Sequence, residues 1–192
     1  TAHFVDTGID TGDIIYQEMV PIGKDAKYAD VLALAYEACP RVLVTALDQL
    51  KQGTAAPVSQ EKLGRGFYCG RREEGDEWIN WSWTAERIVN FVRAISPPGP
   101  GAITTLEGQV IVVLDASFVS EDPAYICTEG QVVGRDQHGV WVKASDRIVR
   151  LERCRNHDNL KTYKPNWRIG TRLSNKQEYR LNLLDNNEFL RK

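Results

Sequence analysis

Apolar residues change their period three times along the chain. Residues 3–5 are short, apolar and strand-like. Residues 6–13, Asp-Thr-Gly-Ile-Asp-Thr-Gly-Asp, have the composition of a tight loop. Residues 14–22, Ile-Ile-Tyr-Gln-Glu-Met-Val-Pro-Ile, resume as a strand. Strand, polar loop, strand is the predicted opening. Helical spacing then takes over at Tyr28, Val31, Leu32, Ala35, Cys39, Val42, Leu43, Ala46, Leu47 and Leu50, which make one continuous face. Asp25 is the expected cap and Gly53 the expected stop. Pro40 removes the bond to the Tyr36 carbonyl, so a kink or a break is expected there. The face reads as core.

Residues 54–76 lack a period and read as a linker rich in Gly and charge. Trp78, Trp81 and Trp83 follow in six residues, a density that points to packing between elements, with a stacking surface for a ring as the alternative. Thr84 caps a second helix with Ile88, Phe91, Val92 and Ile95 on one side. Pro97-Pro-Gly-Pro-Gly101 ends it. Beyond Gly101 the pattern becomes short strands at 102–106, 109–116, 131–133, 140–143 and 148–154, with turns at Glu107-Gly108 and Asp136-Gln-His-Gly139. Five short strands predict a small barrel or a curled sheet. The switch at the prolines places a domain boundary there, dividing the chain into 1–96 and 97–192. Trp167 and Ile169 are the expected anchors of the polar tail.

Composition adds three constraints. The 42% apolar share over 192 residues is enough for one ordinary domain or two small ones. The net charge of −2 hides an asymmetry: 13 Lys/Arg face six Asp/Glu from Val142 onward. That basic end suits phosphate or RNA, or is simply a solvated tail. Cys39, Cys69, Cys127 and Cys154 are scattered, as are the three histidines, so a zinc site is not expected and each cysteine reads as a reduced core residue. No apolar run approaches the ~18 residues of a membrane span and no signal peptide opens the chain, so a cytoplasmic protein without a membrane partner is expected.

The opening His3-Phe-Val-Asp-Thr-Gly-Ile-Asp10-Thr-Gly-Asp-Ile-Ile15 resembles a signature of the folate-dependent formyltransferases. Phe67-Tyr-Cys-Gly-Arg-Arg72, Ile79-Asn-Trp81, the run from Ile88 to Ala94, and Pro98-Gly-Pro-Gly-Ala102 stand in the order found across the hinge of that family. Gly130-Gln-Val-Val133, Gly139-Val-Trp-Val142 and residues 148–152 resemble strands of its C-terminal barrel. The resemblance covers about residues 1–155. It implies an α/β protein: the C-terminal part of a Rossmann-like formyltransferase domain, followed by a small OB-like β-barrel. It also implies transfer of a formyl group from 10-formyltetrahydrofolate to a primary amine.

Asp10 matches the family's catalytic aspartate, and Asp6, Thr7, Gly8, Ile9 and Asp10 match the loop that meets the folate ring. Formyl transfer needs an amine to attack a carbonyl carbon and shed a proton, and a carboxylate near an imidazole can help relay it. The plainer reading of Asp10 is a turn-forming residue. Asp13 reads as a turn residue at the strand edge, and His3 as a locally packed or hydrogen-bonded side chain. Family members also use an Asn-x-His pair upstream of the aspartate, and this chain contains none. The chain opens on a strand with no initiator Met, so an upstream part is expected and the isolated chain is expected to be inactive. A non-catalytic fragment or regulatory module is the competing class. The 67–72 stretch favours an amino-sugar nucleotide as acceptor, and the basic tail favours methionyl-tRNA; the balance tips to the sugar. A homodimer is left open.

Overall fold

The computed structural model describes residues 1–64, 66–119, 123–177, 179 and 180. It comprises two compact units, 1–72 and 73–192. In the first unit, β1 (Ala2–His3) pairs antiparallel with β2 (Ile14–Tyr16). The strand expected over 14–22 stops at Tyr16 because Tyr16 already pairs with Ala2, where β1 begins, and Pro21 has no N–H for a ladder. On the other edge of β2, Ile14 and Val58 exchange backbone hydrogen bonds of 2.8 and 2.9 Å.

Helix α1 (Tyr28–Gln52) follows as one element. Its cap is Lys27, whose N–H donates to the Asp30 carboxylate at 2.8 Å; Asp25 lies before it in a turn. Gly53 ends it at φ 67, the left-handed conformation that costs glycine least. Pro40 sits inside without breaking the element. The predicted apolar face is only partly core. Of that face Val42 and Ala46 are buried, together with Ala38 outside it, while Leu43 and Leu47 are more than half exposed. A two-stranded sheet is too narrow to cover the stripe of a 25-residue helix.

The second unit holds the main core. Helix α2 (Ala85–Ala94) starts at Thr84, whose hydroxyl accepts from Arg87 N at 3.3 Å. Seven strands follow: β3 (Ala102–Leu106), β4 (Gln109–Phe118), β5 (Val132–Arg135), β6 (Val140–Lys143), β7 (Ile148–Asn156), β8 (Thr162–Tyr163) and β9 (Leu173–Ser174). Their order is β5-β6-β7-β4-β3-β9, with β8 beside β7, and every pairing is antiparallel. The β3–β4 turn puts both Glu107 (φ 50) and Gly108 (φ 80) at positive φ, as the tight hairpin turn requires.

The two ends of this sheet meet. Val132 N donates to Thr171 O at 2.8 Å, and Leu173 N donates to Gly130 O at 2.9 Å. The sheet therefore curls back on itself as the short strands predicted. Ile88, Val89 and Val92 of α2 share one core with Val113, Val142 and Leu151. The proline turn at 97–100 thus lies inside the second unit, because the helix before it packs on β4 and β7. Trp81 is 3% exposed and Trp83 meets Phe91 edge to face, as the packing reading expected. Trp167 packs on the core, but Ile169 is 55% exposed; Leu173, at 2%, is the tail's second anchor.

Candidate functional site

The loop between β1 and β2 is held by its own polar side chains. Asp6 Oδ1 accepts from Gly8 N at 3.0 Å and from Thr11 Oγ1 at 2.7 Å. Those bonds, the hydroxyl's first, hold the Asp6 carboxyl below its ordinary range. Phe4 N donates to Asp13 O at 3.0 Å across the base. Gly12 has no room for a side chain, since a Cβ there would meet the Phe4 carbonyl oxygen at 1.8 Å.

Asp10 stands at the loop tip with φ 56, a conformation that costs a non-glycine residue on the order of 1 kcal/mol and that aspartate tolerates better than most. Its carboxylate is 85% exposed and lies 3.7 Å from His3 Nε2. His3 Nδ1 is 2.7 Å from Phe4 O. The local hydrogen bond expected of His3 is present; its approach to Asp10 was not read from sequence. Thr7, Gly8 and Ile9 are exposed beside Asp10, with Ile9 at 83%. Asp10 thus combines an exposed carboxylate, a neighbouring imidazole and a fixed backbone. Gln60 also reaches this loop, with Nε2 2.8 Å from Asp10 O and 2.7 Å from Gly12 O. It was read as linker, and a lone glutamine without a period gives no signal of such a contact.

In the second unit, Lys143, Arg147, Arg150 and Arg153, four of the thirteen cations counted from Val142 onward, do not form one open basic face: only Arg147 and Arg153 are exposed. Lys143 is 8% exposed and donates to Ala144 O and Ser145 O. Arg150 pairs with Asp136 at 2.7 Å, and Arg153 with Asp115 at 2.6 Å. Burial raises the Asp136 carboxyl, but N–H donors from His138, Trp141 and Gly139 and the Arg150 charge outweigh it and leave the group below its ordinary range. The strap that carries β8 and β9 holds cations that face no carboxylate among the described residues. Lys161, Lys164, Arg168 and Arg172 are exposed there. Lys164 and Arg172 donate to Gln137 O and Thr128 Oγ1, neutral acceptors that leave the charge in place.

The cysteines do not all read as core. Cys154 is buried, Cys127 half-buried, and Cys39 and Cys69 are exposed. Among the described residues no group of His, Cys, Asp and Glu could hold a metal ion, and no helix is long and apolar enough to cross a membrane.

Comparison with known proteins bears on residues 72–167, which match the formyl transferase C-terminal domain. The methionyl-tRNA formyltransferase of Pelotomaculum thermopropionicum is 34% identical over 142 residues, 74% of this chain. The chain belongs to the folate-dependent formyltransferase family. The part of the family it represents is the C-terminal portion. The methionyl-tRNA formyltransferase of Syntrophomonas wolfei is 28% identical over 151 residues, 79% of this chain. The chain spans about half the length of these formyltransferases, 47% of the Syntrophomonas protein and 44% of the Pelotomaculum one. A crystal structure of HypX from Aquifex aeolicus in complex with tetrahydrofolic acid is similar in fold. It is 17% identical, with a TM-score of 0.55, covering 87% of this chain and 32% of that one.

Proposed function

We propose that this chain forms the aspartate-bearing part and the C-terminal domain of an enzyme that moves a formyl group from 10-formyltetrahydrofolate to the primary amine of methionyl-tRNA. The observation that carries the reading is the exposed Asp10 carboxylate on a braced, glycine-flanked loop beside His3, in a chain of this family. In this reading residues 1–72 complete a Rossmann-like domain, and the backbone of residues 6–10 borders the folate ring. The formyl donor supplies an electrophilic carbonyl carbon. The amine nitrogen bonds that carbon, Asp10 accepts the proton the amine sheds, and the bond between the formyl carbon and the folate nitrogen breaks, so that tetrahydrofolate leaves with a proton on that nitrogen.

Two features support RNA as the acceptor over the sugar nucleotide that the sequence favoured. The Syntrophomonas and Pelotomaculum relatives are methionyl-tRNA formyltransferases. Lys161, Lys164, Arg168 and Arg172 also present unneutralised charge along one strap, the footprint of a phosphate backbone. An amino-sugar nucleotide is the second reading, favoured by Phe67 and Tyr68, which are 88% and 92% exposed in the stretch that resembles sugar enzymes.

The test offers 10-formyltetrahydrofolate with methionyl-tRNA or with amino-sugar nucleotides to the full-length gene product. Formylmethionyl-tRNA, with tRNA affinity that falls steeply as salt rises, is the expected result. Formylated sugar alone replaces the acceptor. No formylated product from either removes the enzyme reading and leaves a regulatory module.

A further inference from the structure

The position of Gln60 follows from a pairing 44 residues long in sequence. Val58 and Ile14 exchange both backbone hydrogen bonds, and the pairing is antiparallel. Two residues beyond Val58 therefore lie level with two residues before Ile14. That register brings Gln60, the first residue of the 3-10 turn Gln60–Leu63, alongside Gly12. The glutamine amide carries two hydrogens on one nitrogen. It spends them on Gly12 O at 2.7 Å and Asp10 O at 2.8 Å, the carbonyls on either side of Thr11.

Few other forces act on this loop. Asp10 and Ile9 are exposed, so no burial fixes the tip. Asp6 ties residues 6, 8 and 11 together from within. That brace sets the loop's internal shape but attaches it to nothing else. Gln60 attaches the loop to the segment after α1. It does so at the carbonyl of Asp10 itself, a residue in the left-handed region that an unbraced chain leaves readily. Holding the carbonyl on one side and the loop chord on the other determines where the Cα–Cβ bond of Asp10 points.

The geometry points to Gln60 as the positioning residue that presents the Asp10 carboxylate to the reacting amine. Gln60 touches backbone and not reactants; its effect passes through Asp10. The inference rests on the reading of Asp10 given under the proposed function.

Gln60→Glu keeps the length and replaces the donor with an oxygen aimed at two carbonyls. Gln60→Met keeps the bulk and removes the polarity, and serves if the glutamate variant folds poorly. The first measurement is NMR on the 192-residue chain. The one-bond Cα–Hα coupling of Asp10 reports its positive φ, and the amide exchange of Thr11 and Gly12 reports loop order. Both variants should shift the Asp10 coupling and speed exchange at 11 and 12, with α1 and the second unit unchanged. An unchanged Asp10 coupling in both variants overturns the inference without any assay of activity. The second measurement is turnover of the full-length gene product. Both Gln60 variants should lower kcat by on the order of 10-fold or more, with KM for the acceptor unchanged, because displacement of a catalytic group by about 1 Å is enough. Full turnover by both, beside an inactive Asp10→Asn, overturns the role of Gln60 alone. Full turnover by Asp10→Asn instead overturns the role of Asp10, and the catalytic meaning of the brace with it.

Discussion

Asp146 Oδ1 accepts a hydrogen bond from Ala85 N at 2.8 Å, across 61 residues of sequence. Ser145 N donates to Trp83 O at 3.1 Å beside it. The turn after β6 thus satisfies one of the open N–H groups at the start of α2 and clamps that helix to the sheet. Asp146→Ala is expected to lower unfolding free energy by about 1 kcal/mol, the usual worth of such a cap, measured by urea titration at pH 7. Burial pushes the Asp146 carboxyl up, but the N–H groups of Ala85 and Arg147 outweigh it and leave it below the ordinary 3.8. A lowered folded value stabilises the protein above the unfolded value and is lost as pH falls through the folded one. The gap between wild type and variant should be full above pH ~5 and should narrow below pH ~4. A gap that is constant down to pH 2 would contradict this account.

Trp81 and Ser174 are joined through one buried hydroxyl. Trp81 Nε1 donates to Thr104 Oγ1 at 3.1 Å, and Thr104 Oγ1 donates to Ser174 O at 3.0 Å. Thr104→Val preserves shape but strands a buried indole N–H and a carbonyl. Thermal or urea unfolding should show a loss of about 2 kcal/mol, more than deletion of an exposed hydroxyl would cost. A change within error would mean that both groups find other partners.

Gly12→Ala places a methyl group where the Phe4 carbonyl oxygen sits, 1.8 Å from the ideal position. Backbone, not a flexible side chain, is in the way, so the loop base has to open. Amide exchange should quicken at Phe4, whose N–H bonds Asp13 O, while the second unit keeps its protection. Protection at Phe4 equal to wild type would show that the loop absorbs the methyl elsewhere.

Thiol labelling separates the cysteines. Cys39 and Cys69 are exposed and should react with iodoacetamide in the native protein. Cys154 is 0% exposed, and burial, aided by the Asp115 charge, pushes its thiol far above the ordinary value. Mass spectrometry should find Cys154 modified only after unfolding. Native modification of Cys154 at the rate of Cys69 would mean that β7 opens readily.

The barrel was the legible part. Residues 102–106 and 140–143 form strands with the bounds their apolar runs gave, and Glu107-Gly108 turns as its composition required. In such strands alternation and turn chemistry are local, so the sequence carries them. What an element packs against is not local. The stripe on α2 marks a helix face but not the sheet it meets, so the proline cluster was taken for a boundary when it is a turn within one unit. The leucines on α1 were assigned to core by the same periodicity, which cannot report the width of the sheet available. Asp10 was singled out because its loop resembles the family signature, and the structure places its carboxylate at the surface beside His3. Gln60 was not, because its place depends on the register between Val58 and Ile14.

The closing of the barrel also sets an order of events during synthesis. Thr104 and its partner Ser174 are 70 residues apart, and the segment that joins β5 to β3 is among the last of the second unit to be made. Until residues 170–174 leave the ribosome, β5 presents a bare row of backbone donors and acceptors, and β3 is covered at Ile103 by Glu77 and Ile79 but bare at Thr105; such rows pair readily with other chains. A nascent chain stalled before Gly170 would carry a sheet with one open margin at β5 and a partly open one at β3, the state in which the newborn domain is most exposed to its neighbours on the same polysome.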